Sequence, residues 1–130
     1  MSAIGHRTWV VPGGRMPLRS TGPEPEFTGR DELFILNTGD TEAGLSLTIF
    51  YADREPVGPY ELTVAARRVR CMRCNDLIDP EAMPLGVEYG VLVESNEPIV
   101  VQFARVDTSQ DALAMLGSLA FPVDRSASLS

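Results

Sequence analysis

Leu45-Ser46-Leu47-Thr48-Ile49-Phe50-Tyr51 is the stretch on which the fold class turns. Leu45, Leu47, Ile49 and Tyr51 share one parity, with Ser46 and Thr48 between them. Successive side chains of an extended chain point to opposite sides, so the apolar set makes one face of a strand and the other face is mixed. Upstream, Leu33-Phe34-Ile35-Leu36 is a short continuous apolar run ended by Asn37-Thr38-Gly39-Asp40, where Gly39 and Asp40 carry turn chemistry. The two runs predict a hairpin.

Further along, Val87, Tyr89, Val91 and Val93 share a parity. Ser95-Asn96-Glu97-Pro98 then turns the chain into Ile99-Val100-Val101-Gln102-Phe103-Ala104-Arg105-Val106, which predicts a second hairpin. Tyr60, Leu62, Val64 and Ala66 are apolar at even numbers, whereas Val69 and Cys71 are apolar at odd ones. A bulge or corner at Ala65-Ala66 repairs the slip, as when a strand passes from one sheet of a sandwich to the other. Thr8-Trp9-Val10-Val11 reads as an opening strand stopped by Pro12-Gly13-Gly14.

Near the end, Leu113, Met115, Leu119 and Phe121 share a strand parity, while Leu113, Leu116 and Ala120 also fit a helical face that Ser109 to Asp111 could cap. Gly117 weakens a helix interior, so the favoured reading is a turn near Gln110 followed by a strand, with a helix as the alternative. Seven to eight short strands in sequence imply an all-β chain, an antiparallel β-sandwich of jelly-roll-like form.

The chain has 130 residues, which fits one ordinary domain, so residues 1–130 are expected to form a single unit. Hydrophobic residues make up 44% and charged residues 22%, enough to bury a normal interior. Eighteen acidic against eleven basic residues give a net charge of -7, which disfavours adhesion to nucleic acid or to an anionic membrane while leaving room for a local basic patch. The first residues lack the charged-then-apolar design of a signal peptide. No stretch approaches the ~20 apolar residues that cross a bilayer. The expectation is a cytoplasmic protein with no membrane insertion.

The chemistry set is thin. Structural zinc takes about four ligands, and the whole chain offers only Cys71, Cys74 and a distant His6. Every basic side chain is arginine, so no lysine is present for a Schiff base or a phosphate loop. Nucleophile elbow, Walker loop and dinucleotide fingerprint are all missing from the sequence. A non-enzyme without metal or cofactor is expected. Cys71-Met72-Arg73-Cys74 has the spacing of a redox pair. In a strand, however, three residues span about 10 Å with opposite parity, while a disulfide needs α-carbons within ~7 Å. Two reduced, structural cysteines are expected.

Polar groups among the apolar runs carry the functional reading. Arg67, Arg68, Arg70 and Arg73 place four of the eleven arginines within seven residues of an acidic chain. On a regular strand Arg68 and Arg70 share a face, where two arginines can clamp a carboxylate, a phosphate or a partner's acidic patch; a solvated face or ion pairs across a subunit contact are the plainer alternatives. Gln102 and Arg105 interrupt an apolar strand that Asp107 closes, and buried polar groups demand partners. They pair with another strand or subunit, or they face a pocket and take a polar ligand such as a sugar. Asn75, Asp76 and Asp79 form a polar loop with too few arranged oxygens for calcium. Trp9 is read as core.

Several strings together resemble the sensory rhodopsin transducer family. They are Gly22-Pro23-Glu24-Pro25-Glu26-Phe27, Ile35-Leu36-Asn37 with Gly39-Asp40, Glu55-Pro56-Val57-Gly58-Pro59-Tyr60, and Leu62-Thr63-Val64 with Ala66-Arg67-Arg68. Asn75-Asp76-Leu77 with Asp79-Pro80, and Pro98-Ile99-Val100-Val101-Gln102 with Arg105 and Asp107, extend the match from Trp9 to about Phe121. The resemblance implies a compact β-sandwich, a homotetramer about a fourfold axis and a cytosolic role as soluble partner of a membrane sensory rhodopsin or as a small-molecule-binding domain. The chain departs from the family pattern at Cys71 and Cys74, near positions often histidine and aromatic, and at Phe103, which follows Gln102 in place of histidine. Arg68, Arg70, Asn75, Gln102 and Arg105 are the ligand-binding candidates that carry over.

Two functional classes follow. The first is a tetrameric binding protein whose polar strip and arginine strand receive a small polar ligand, sugar-like or anionic, or a signalling partner. The alternative is a nucleic-acid-binding regulator that uses Arg67, Arg68, Arg70 and Arg73 as its footprint, and its binding would collapse with salt.

Overall fold

In the computed structural model, the described residues are 3–15, 30–84, 87–107 and 114–123. They form eight strands: β1 (His6–Arg15), β2 (Arg30–Asn37), β3 (Ala43–Tyr51), β4 (Val57–Val64), β5 (Arg68–Arg73), β6 (Glu88–Asp107), β7 (Ala114–Leu119) and β8 (Phe121–Pro122). The single helical element among them is a 3-10 turn over Cys74–Asp76. All-β antiparallel architecture is therefore what the period-2 patterning implied. No helix of the described residues is long and apolar enough to cross a membrane.

The eight strands belong to one hydrogen-bonded sheet folded over into two layers. One layer runs β4-β3-β6-β1-β8, and in the other β2 lies between β5 and β6, with β7 on the far side of β6. The first layer uses the early part of β6, up to Ser95 against β3, and the second uses Val100 to Asp107. A straight run from Tyr89 to Arg105 would span roughly 50 Å. Yet the Tyr89 hydroxyl and the Arg105 guanidinium meet on one carboxylate, that of Asp31. Hence β6 doubles back near Ser95-Asn96-Glu97-Pro98, where Ser95 Oγ donates to Glu97 O at 2.7 Å and accepts from Glu97 N at 3.2 Å.

That geometry corrects the second hairpin. The reversal lies where the sequence placed it, but the two arms sit in opposite layers and pair with different neighbours. Nothing in Ser95–Pro98 supplies the positive φ of a tight hairpin turn; among the described non-glycine residues only Arg67 has one. The first hairpin is corrected too. β2 pairs with β5 and β6, while β3 pairs with β4 and β6. The Asn37–Asp40 string carries the chain between layers instead of reversing it within one.

The expected corner at Ala65-Ala66 is present. β4 ends at Val64 in the first layer and β5 begins at Arg68 in the second, with Arg67 at φ 55 between them. Asn37, fully buried, binds the two crossings together: Nδ2 donates to Thr41 O (2.9 Å), Val64 O (3.2 Å) and Ala65 O (3.3 Å), and Oδ1 accepts from Gly39 N (3.0 Å). After the corner the inward parity is even: Met72 pairs with Leu33 and is buried, whereas Val69 is 62% exposed and Cys71 lies outside. The apolar odd positions of β5 thus face outward, against the simplest reading of that run.

The core lies between the layers and consists of the inward residues: Leu45, Leu47 and Ile49 of β3, Tyr89, Val91 and Val93 of β6, Trp9 and Val11 of β1, and Leu33, Ile35, Val101 and Phe103 from the second layer. Trp9 is a core residue as expected, its Nε1 donating to His6 O (3.0 Å) and Ile99 O (2.9 Å). Pro12-Gly13-Gly14 does not stop β1. It is absorbed in a register shift between Val11 and Gly14, where a bulge accommodates a proline without breaking the strand. The C-terminal segment is strand, Ala114 pairing with Asp107 and Leu119 with Gln102. The turn near Gln110 and the Gly22–Phe27 string lie outside the described residues.

Candidate functional site

A groove of about 490 Å³ opens at the end of the sandwich away from the corner, lined by Pro12 and Gly13 of β1, Phe50, Tyr51 and Ala52 at the end of β3, Glu88, Tyr89 and Gly90 at the start of β6, and Arg105 from its other arm. Three strands of one layer and one residue of the other therefore meet there. The doubling of β6 makes this possible, bringing residues far apart in an extended chain to the same mouth.

Asp31 anchors the groove floor. It shares the parity of Leu33 and Ile35 and is fully buried, and a buried carboxylate is tolerable only when paired. Its Oδ1 accepts Arg105 Nε at 2.8 Å, and its Oδ2 accepts Arg105 Nη2 at 3.2 Å and the Tyr89 hydroxyl at 2.6 Å. The two-point geometry is the strong form of the arginine–carboxylate pair. Arg105 keeps 29% of its side chain exposed, so one face of the pair looks into the groove.

Behind Tyr89 lies Cys74, with Sγ 3.6 Å from the Tyr89 oxygen. Tyr89 has one hydroxyl hydrogen, directed at Asp31, so a protonated thiol completes the chain as donor. Burial pushes the Cys74 thiol up to about 12, which keeps it protonated. Burial, and then the neighbouring Cys74 and Asp31, raise Tyr89 in the same sense. Tyr51 in the groove wall is also raised, chiefly by burial; its hydroxyl has no hydrogen-bond partner among the described residues, and the Arg54 guanidinium stands 4.8 Å from its ring centre.

The candidates from the sequence are distributed over three places. Arg105 is in the groove. Gln102, three residues earlier and so on the opposite face of β6, is exposed on the outer side of the second layer, in register between Phe34 and Leu119. Arg68 and Arg70 stand on β5, exposed, donating to the backbone oxygens of Arg67 (3.0 Å) and Thr63 (2.7 Å). Asn75 belongs to the 3-10 turn after β5. The four clustered arginines make no single basic face: Arg67 is in the corner turn, Arg68 and Arg70 point to one side of β5 and Arg73 to the other. That division disfavours the nucleic-acid footprint. Among the described residues no group of three or more His, Cys, Asp or Glu side chains is placed to hold a metal ion.

Asp31, Tyr51, Glu88 and Phe50 are site residues that the sequence does not single out, while Tyr89, inward by parity, is core and also bonds Asp31. Asp31 carried a usable signal, an acid on the parity of Leu33, Ile35 and Asn37. The other three sit at strand ends, where parity says nothing about which strands converge.

A family model described as Anabaena sensory rhodopsin transducer matches residues 4–122. A solved structure described as Anabaena sensory rhodopsin transducer is 46% identical with a TM-score of 0.72, covering 79% of this chain and 98% of its own. A second, described as Thermotoga maritima 1070, is 26% identical with a TM-score of 0.77, covering 92% of this chain and 96% of its own. Comparison with curated proteins gives no match.

Proposed function

The chain belongs to the Anabaena sensory rhodopsin transducer family, and on that premise we propose that it is a non-enzymatic signalling module of the cytoplasm, a homotetramer that takes a small polar ligand in the groove beside Arg105 and reports to a signalling partner, a membrane sensory rhodopsin among them. The observation that carries the ligand reading is the placement of Arg105: a residue singled out from sequence as polar among apolar neighbours lines a groove of about 490 Å³ and is held there by a fully buried carboxylate. Preorganised polar groups beside aromatic walls are how binding sites fix small ligands.

Charge narrows the ligand class. The Arg105–Asp31 pair is neutral overall, and Glu88 adds a negative charge to the same lining. A neutral, hydroxyl-bearing molecule fits this better than an anion: its hydroxyls would bridge Glu88 and Arg105, and its apolar face would lie on Phe50, which is 45% exposed. Self-association is supported by the outer face of the first layer. Val10, Leu92 and Phe50 share that face with Phe121, and a recess of about 350 Å³ lies among Val10, Phe50, Gly90 and Leu92. Exposed aromatic side chains on one contiguous face are characteristic of contact surfaces.

A thermal-shift screen of neutral sugars, sugar acids and nucleotides tests the ligand reading. A neutral polyol should raise the melting temperature of the wild type, and Glu88→Gln and Phe50→Ala should abolish the rise, Glu88→Gln without altering the tetramer measured by sedimentation. A screen in which no neutral polyol stabilises the protein, or in which both variants respond as the wild type does, overturns it.

A further inference from the structure

The groove leaves the arginine strand unused. β5 pairs with β2 alone and β4 with β3 alone among the described strands, so each layer ends in an open edge, and the two edges run beside each other. An exposed hydrogen bond bridges the seam between them, Arg70 Nη1 to Thr63 O at 2.7 Å. An open edge is a template for another extended chain.

Two of the charges on this edge, Arg68 and Arg70, have no carboxylate partner among the described residues. Elsewhere arginines of this acidic chain have found carboxylates: Arg54 with Asp53, Arg67 with Asp40, Arg105 with Asp31. Arg68 and Arg70, on the same side of β5, bond only to backbone oxygens among the described residues. The recess beside Arg70 has a volume of about 350 Å³ and ends in Asp76 and Asp79, with Glu61 on its β4 wall. The edge is thus basic toward the corner and acidic toward the 3-10 turn. On its outer side Val69 (62% exposed) lies directly opposite Leu36 (41% exposed) in the β2–β5 ladder, an apolar strip that stops at the edge.

We propose that β5 is a docking strand for an extended, acidic segment of a partner protein, which adds to the second layer as a further strand. Its carboxylates would fall at alternate positions against Arg68 and Arg70, and the intervening side chains would be apolar and would continue the Val69–Leu36 strip. The backbone ladder would supply affinity, the arginine pair the charge preference, and Asp76 and Asp79 would exclude a segment acidic along its whole length. This surface is separate from the groove, so its test stands apart from that of the small-ligand reading.

The experiment is fluorescence anisotropy of the full chain with a labelled peptide of alternating glutamate and valine in its first half and serine and valine in its second. The peptide should bind, its lysine counterpart should not, and R68Q/R70Q should weaken binding at least tenfold. Methylating the backbone nitrogens of alternate peptide residues should weaken it by a similar factor, because charge is retained and the ladder is lost. Arg68→Gln, which breaks only a bond to the adjacent residue, serves if the double variant proves unstable. Undiminished binding of the methylated peptide would reduce the surface to a simple anion site and overturn the proposal. So would no binding, equal binding of a DNA duplex lost in the same variant, or dissociation of the assembly by R68Q/R70Q, which would make a second copy the occupant.

Discussion

Arg105 stands directly opposite Asp31 in the β2–β6 ladder and closes two hydrogen bonds on it, 2.8 Å from Nε to Oδ1 and 3.2 Å from Nη2 to Oδ2. The same carboxylate takes the Tyr89 hydroxyl from the other layer. One acid therefore fixes both arms of β6, and the floor of the groove is also a clamp between the layers.

Because Asp31 is fully buried, the clamp should respond asymmetrically to mutation. Arg105→Met leaves an uncompensated buried carboxylate and should cost about 3–5 kcal/mol of stability. Adding Asp31→Asn to that variant should restore part of the loss, since no buried charge remains. Urea denaturation of the wild type and the variants measures both steps. A double variant no more stable than Arg105→Met would show that burial of the charge is not what the pair resolves.

Alkaline pH should loosen the same end of the molecule. The Cys74 thiol is raised from 9.0 to about 12 by burial, so the folded state holds its proton where the unfolded chain releases it. The stability this contributes is complete below pH ~9 and lost progressively up to about pH 12, with a limiting slope of about 1.4 kcal/mol per pH unit. Tyr89, raised in the same direction, steepens the decline above pH ~10. Melting temperatures recorded from pH 8 to 11 should fall, and Cys74→Ala should make the early part of the decline shallower. An unchanged profile in that variant would place the titrating group elsewhere.

The architecture was legible because strand parity is local. Leu45, Leu47 and Ile49 announce their inward face whatever they pair with, and all three are buried. Pairing was not legible in the same way. Asn37–Asp40 and Ser95–Pro98 both look like hairpin turns, and both instead carry the chain between layers, since turn chemistry fixes where a chain bends but not which layer it enters. The site was half-visible for a related reason. Arg105 and Arg70 stand out as charges in apolar strings, whereas the convergence of Glu88, Tyr51 and Arg105 depends on the doubling of β6, which no pattern within either arm encodes.

The corner should be the most sensitive polar position outside the groove. Asn37 satisfies three backbone oxygens and one N–H from two crossings. Asn37→Ala leaves the Val64 oxygen and the Gly39 N–H buried without this partner and should destabilise by ~3 kcal/mol. Asn37→Asp should be at least as harmful, because a carboxylate presents lone pairs to the oxygens of Thr41, Val64 and Ala65. Chemical denaturation midpoints decide the order, and a tolerated Asn37→Asp would mean that the Gly39 N–H bond alone holds the crossing.

The two thiols should separate cleanly by reactivity. Cys71 lies on the outer side of β5, exposed, with Sγ donating to Glu32 Oε2 at 3.3 Å, whereas Cys74 is buried behind Tyr89. Three residues apart on chain that leaves a strand, they face opposite ways, and neither is in a disulfide. An aromatic disulfide reagent at neutral pH should titrate one thiol per chain in the native protein and a second only in denaturant. Cys71→Ser should remove the fast phase and leave the slow one. Because Cys74 is reached only when the layers part, its modification rate should rise in Arg105→Met in proportion to the stability lost. A Cys74 rate indifferent to that variant would show that this thiol is exposed by a local opening which the Asp31 clamp does not govern.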